Sequence, residues 1–166
     1  MAIETIHDLL ITEIRDLYST EQQLVPLLGR MESAACNNQL RLAFAKHRQD
    51  TLEQIERLES ILQLMNLRHE GNSSLAMNGL ILRMKAAIAE SMPESVKDLA
   101  LVAAAQQIEH VEMSAYSSAH ILSYTLGLDE VTNLLQENLE QEEQADMILS
   151  EISAAILVAA GKPLEV

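Results

Sequence analysis

Residues 10–31 read Leu10-Ile-Thr-Glu-Ile-Arg-Asp-Leu-Tyr-Ser-Thr-Glu21-Gln-Gln-Leu-Val-Pro26-Leu-Leu-Gly-Arg-Met31. Leu10, Ile14, Leu17, Glu21, Leu24, Leu28 and Met31 recur at spacings of 4, 3, 4, 3, 4 and 3, the register of one helix face. Every member is apolar except the central one, Glu21. Pro26 removes the hydrogen bond to the Gln22 carbonyl and predicts a kink there. The stretch thus predicts a long amphipathic helix with one acid in the middle of its buried stripe.

Three further segments repeat that pattern. The periodicity predicts helices over about Ile3–Ala35, Gln39–Asn66, Glu94–Leu126 and Asp129–Ala160. Pro93 precedes the third and Gly127 follows it, the usual punctuation of a helix. The connections Cys36-Asn37-Asn38 and Gly127-Leu128 are short, so each pair of helices should form an antiparallel hairpin. Between the hairpins lies a long connection with Gly71-Asn72-Ser73-Ser74 and a shorter helical stretch near Leu75–Ser91. The expected fold is all-α, a ferritin-like four-helix bundle with a long crossover that contains a short extra helix. One domain is expected over residues 1–166.

Composition limits the function. With 25 acidic against 11 basic side chains, the net charge is −14. Nucleic acid and anionic membrane surfaces are poor partners for such a chain, and cations are natural ones. Cys36 is the single cysteine, so neither an internal disulfide nor a thiolate metal site is available. The N-terminus lacks a signal-peptide pattern, and the longest apolar runs, such as Leu99–Ala105, are too short to span a bilayer. A soluble cytoplasmic protein is the expectation.

Polar residues interrupt the other stripes at the same level. The second helix places His47, Asp50, Thr51 and Gln54 between Phe44 and Leu58. The third carries Glu109, Glu112 and Tyr116 on one face, and the fourth carries Glu142 and Asp146. Glu21 and Asp50 lie 16 and 13 residues from Asn37, Glu109 lies 18 before Gly127, and Glu142 lies 13 after Asp129. At about 1.5 Å per residue these levels agree within about a turn. Buried carboxylates raise one another's pKa and each costs several kcal/mol uncompensated. Divalent cations would resolve the conflict, and oxygen ligands plus an imidazole suit iron or manganese, with zinc as an option. Any one of these acids also fits a structural reading, as a salt-bridged or snorkelling residue, and His47 fits a hydrogen-bonded core histidine.

The Glu-x-x-His signature of di-metal bundles occurs once, as Glu4-Thr5-Ile6-His7. It lies roughly 20 Å from the Glu21 level and cannot share that site. His47, on the core stripe, is the preferred imidazole. His110 is rotated about 100° from Glu109, and His69 and His120 read as non-ligands.

At these residues the chain resembles the YciE/YciF-type ferritin-like, or rubrerythrin-like, bacterial stress proteins. The stretches are Asp16-Leu-Tyr-Ser-Thr-Glu21, His47-Arg-Gln-Asp-Thr51, Ala103-Ala-Ala-Gln-Gln-Ile-Glu-His-Val-Glu112 with Tyr116, and Leu139-Glu-Gln-Glu142 with Asp146. The resemblance implies a homodimer with a di-metal centre and an association with stress. It carries over, as metal ligands, Glu21, His47, Asp50, Glu109, Glu112, Glu142 and Asp146. Two positions depart from the family pattern: Asp50 and Asn78 stand where glutamate is usual. The reading that follows is a protein with two divalent ions that oxidises Fe(II) or consumes peroxide. The alternative is a non-catalytic helical interaction protein with a structural ion or none.

Overall fold

A computed structural model describes residues 3–68 and 75–161, without the side chains of 75 and 76. His69, the Gly71–Ser74 segment and Pro163 lie outside the described residues. Five helices follow one another: α1 (Ile6–Ala34), α2 (Asn38–Leu64), α3 (Leu75–Ala89), α4 (Glu94–Thr125) and α5 (Asp129–Ala159). None of the described residues forms a strand. No helix among them is long and apolar enough to cross a membrane.

Local chemistry sets the helix ends. α1 starts three residues later than its periodicity suggests because Thr5 caps it. The Thr5 hydroxyl accepts from the Asp8 amide at 3.1 Å, and the Asp8 carboxylate accepts from the Thr5 amide at 3.0 Å. The Asn37 side chain accepts from the Gln39 and Leu40 amides at the start of α2. At the end of α4, Gly127 takes φ +70°. There the Leu128 amide donates to the Ser123 carbonyl and the Gly127 amide to that of Tyr124. Asn66, at φ 54°, ends α2 in the same way, with Leu67 donating to Leu62.

Two side chains fix the topology. The buried Asp98 carboxylate of α4 accepts from the amides of Cys36 at 2.7 Å and Asn37 at 2.9 Å. This ties the start of α4 to the α1–α2 turn. α2 and α4 therefore leave the same end of the bundle in parallel, and the connection containing α3 returns the chain along its length. The Lys97 ammonium donates to the carbonyls of Ala87, Ile88 and Glu90, holding the end of α3 against α4. The hairpins α1–α2 and α4–α5 pack together through α2 against α5 and α1 against α4, with α3 laid over α1 and α4. This is the ferritin-like arrangement.

The interior divides into three levels. Near the α1–α2 turn, Leu24, Leu28, Met31, Phe44, Leu101 and Leu149 pack with Met77 and Met84 of α3. Towards the other end, Leu10, Ile14, Leu58, Ile61, Val131 and Leu135 form a second apolar core. Between them Glu21, His47, Thr51, Gln54, Glu109, Glu112, Asn138 and Glu142 are all buried.

Replacing Asp98 by Ala leaves two amides of the α1–α2 turn without their charged acceptor. The expected loss is about 3 kcal/mol, since hydrogen bonds to charged groups contribute about 1.5–3 kcal/mol each. Urea denaturation should show a lower midpoint at unchanged m-value. A loss below about 1 kcal/mol would show that the turn is held by packing alone.

Candidate metal centre

Each helix of the four-helix bundle supplies one or two candidate ligands to the polar level. Glu21 comes from α1 and His47 from α2. Glu109 and Glu112, one turn apart, come from α4, and Glu142 comes from α5. One ligand-type atom from each of His47, Glu109, Glu112 and Glu142 lies within 4.8 Å of all the others. His47 Nε2 stands 3.3 Å from Glu109 Oε1 and 3.8 Å from Glu142 Oε2.

The neighbours of these groups orient them. The Tyr116 hydroxyl donates to Glu21 Oε1 and accepts from the Asn138 amide at 3.1 Å. The Asn138 carbonyl accepts from Arg57 at 2.9 Å, and Arg57 pairs with Glu137 at 3.0 Å. A continuous strut thus runs from the surface to Glu21. Gln54 Nε2 donates to Glu142 Oε1. Several buried atoms nevertheless have no hydrogen-bond partner among the described residues: Glu21 Oε2, His47 Nδ1, Gln54 Oε1, Glu109 Oε2, Glu142 Oε2 and both oxygens of Glu112.

The charges are strongly coupled. Burial pushes Glu21 up to about 7 against the opposing pull of Tyr116 and His47. Burial and then the neighbouring carboxylates carry Glu112 and Glu142 well above the carboxylate range. Glu109 goes the other way: burial opposes its ionisation, but the adjacent His47 imidazole holds it below its ordinary value. Burial would likewise lower His47, and the Glu109 carboxylate more than offsets it. In the metal-free cluster His47 and Glu109 each favour the charged form of the other, while Glu21, Glu112 and Glu142 are pushed towards the neutral form.

A divalent cation fits this donor set. Unpartnered buried oxygens and an imidazole nitrogen within a few ångströms are the ligands that iron, manganese or zinc accept.

Two residues expected in the centre stand outside it. Asp50 turns away and pairs with Lys46 one turn earlier. The inward stripe of α2 passes through His47, Thr51 and Gln54, at i, i+4 and i+7, which leaves i+3 rotated off the face. Asp146 sits on the α4–α5 seam, where it accepts from Gln106 at 3.0 Å and faces His110 at 3.3 Å. Gln54 and Asn138, buried beside the cluster and hydrogen-bonded to Glu142 and Tyr116, received no role from the sequence. The signal for Asn138 was present: Leu135, Asn138, Glu142 and Leu149 keep the 3, 4, 7 spacing of one buried face.

Residues 5–160 match the profile of a family described as a domain of unknown function, DUF892. Protein YciF of Escherichia coli K12 is 35% identical over 154 residues, covering 92% of this chain and 93% of YciF. The crystal structure of that stress protein superposes with a TM-score of 0.91 at 34% identity, covering 96% of this chain and 100% of YciF. YcfI of Rhodopseudomonas palustris, whose name designates it a candidate structural protein, gives a TM-score of 0.86 at 33% identity over 89% of this chain and 94% of YcfI. A protein of Xanthomonas campestris, 22% identical over 94% of this chain and 96% of its own, shares the fold with a TM-score of 0.71.

The charge pattern gives a signed prediction. Glu112→Gln and Glu142→Gln should stabilise the protein in chelator at neutral pH by about 1–3 kcal/mol, because the unfolded chain ionises these acids freely and the native cluster does not. Glu109→Gln should destabilise it, since it strips His47 of its partner. In the metal-free protein the contribution of Glu21 is present below the ordinary value of 4.5 and is lost as pH rises through about 7. Chemical denaturation across that range, with chelator and with Mn(II), checks both signs. With metal the advantage of the Gln variants should disappear. Glu112→Gln and Glu142→Gln variants less stable than wild type in both conditions would mark the acids as a structural network.

Proposed function

The chain belongs to the DUF892 family, and from that premise we propose that it is a ferritin-like carboxylate protein holding two divalent metal ions at mid-bundle, iron foremost and manganese or zinc as alternatives. The observation that carries this reading is the set of buried oxygens of Glu109, Glu112 and Glu142, from α4 and α5, gathered around His47, with Glu21 of α1 buried at the same level. A fold stabilised only by packing would gain by replacing them with apolar side chains.

In this reading Glu21, His47, Glu109, Glu112 and Glu142 hold the ions. Glu109 and Glu142 approach each other from α4 and α5, and both would hold cations there. Bound iron would supply one-electron chemistry towards dioxygen or peroxide. The protein supplies orientation and proton accounting. Tyr116 and Asn138 fix the rotamer of Glu21, and Gln54 fixes that of Glu142. Glu112 and Glu142 release protons as cations replace them, so affinity should rise with pH. The apolar cores above and below keep bulk water from the cluster.

The stress association comes from the Escherichia coli relative, and we extend it to this chain together with a homodimeric assembly. A second reading is favoured by the name of the Rhodopseudomonas relative: a structural protein whose ions, if bound, do not turn over.

Protein purified without chelators and analysed by plasma mass spectrometry should carry two ions per chain, and Glu142→Ala should lose at least one of them. Anaerobic loading with Fe(II), followed by dioxygen or peroxide in an oxygen electrode, separates the two readings. Oxidant consumption above that of free Fe(II) supports the oxidoreductase. Full loading without consumption supports the structural protein. A pure protein that never takes up Fe, Mn or Zn removes the metal reading. Light scattering checks the assembly, and a monomer or a closed cage would contradict the dimer.

A further inference from the structure

A cavity of about 150 Å³ lies between α2 and α5, with His47 and Glu109 forming part of its wall. Ala43 and Phe44 from α2 and Ala145, Ile148 and Leu149 from α5 give the cavity most of its surface, and Gln141 and Gln144 of α5 also stand in its wall. Lys46 and Asp50, paired with each other, also line it. The outward turn of Asp50 is thus part of the construction of this pocket. His47 is only 7% exposed and Glu109 2%, and His47 Nδ1 and Glu109 Oε2 have no protein partner.

Filling so small a space would be simple in a helical bundle. Leu in place of Ala43 or Ala145 suits a helix as well as Ala does, within a few tenths of the propensity scale. A void retained beside buried polar groups is therefore a recess shaped by both its walls and its end. Its chemistry also differs from that on the opposite side of the cluster. There a smaller cavity, about 80 Å³, has Glu13, Asp16 and Glu112 in its wall. Acidic side chains suit an approaching cation, whereas a recess whose surface is mostly apolar and whose charged groups Lys46 and Asp50 are paired suits a neutral molecule.

We propose that the α2–α5 cavity binds a small neutral molecule with an apolar body and one oxygen-bearing head, the body packed on Phe44, Ile148 and Leu149 and the head at His47 and Glu109. The size follows from the volume. An apolar cavity of about 150 Å³ accommodates a benzene-sized guest, so the occupant has about six non-hydrogen atoms. The head is a hydroxyl or hydroperoxide, which donates to Glu109 and engages the His47 imidazole. A carboxylate head would meet an acidic cluster, and an ammonium would leave its hydration for an apolar wall. The inference deepens the metal reading by naming the class of co-substrate for that centre, short alkyl alcohols or hydroperoxides, and the binding step itself requires no metal.

The test uses full-length, metal-free protein in chelator, with tert-butanol as the probe and methyl NMR as the readout. Glycerol and acetate are size-matched polar and charged controls. Saturable shifts should appear at Ala43, Ala145 and Ile148 with tert-butanol and not with the controls. Ala145→Leu and Ala43→Leu, which fill the cavity from opposite walls, should each weaken binding by about tenfold or more. Absence of saturable shifts in the wild type would overturn the proposal. So would equal shifts from glycerol, or full affinity in a folded filling variant. Metal content is measured on a separate sample. Binding of tert-butanol by a protein that takes up no metal would remove the metal reading and leave the pocket standing. Metal uptake without probe binding would do the reverse.

Discussion

The constraint on which the structure depends is electrostatic. Four glutamates and a histidine occupy the interior of a narrow bundle, where an uncompensated charge costs several kcal/mol. The protein answers in two ways. It pairs His47 with Glu109, and it leaves Glu112 and Glu142 to the proton. Neither response satisfies the remaining oxygens, and that shortfall is what a divalent cation held there would resolve.

The scaffold is arranged around this unfavourable level. Apolar cores on both sides hold the helices together without help from the belt. Asp98 and Lys97 lock the α1–α2 turn, the end of α3 and the start of α4 into one assembly. Both are hydrogen bonds from charged side chains to backbone at helix termini, where amides and carbonyls otherwise lack partners. The frame can then carry strain at mid-bundle because its stability is set elsewhere.

The neighbours of the cluster divide by function. Tyr116, Asn138 and Arg57 form a chain of hydrogen bonds that reaches Glu21 from the protein surface. Gln54 performs the same role for Glu142 from the facing helix. The α2–α5 side, by contrast, is left open and apolar. Rigid support on one side and free volume on the other is the arrangement that the proposed metal centre and its proposed small-molecule guest would need.

The sequence by itself determined the helices, the hairpins and the long crossover, because 3.6-residue periodicity and short Gly or Asn turns are local properties. It also located Glu21, Glu109, Glu112 and Glu142 at one level, since helix rise converts residue number into height. Rotation about each helix axis was beyond it. Asp50 and Asp146 have the right height, but Lys46, Gln106 and His110 hold them off the inward face. Asn138 sits on that face, four residues before Glu142, and only its packing against Tyr116 reveals its part. The direction of the Glu109 shift was equally out of reach, because it depends on one imidazole 3.3 Å away on another helix. Height along a bundle is written in one chain segment. Azimuth, pairing and free volume arise where two segments meet, and only the tertiary structure decided them.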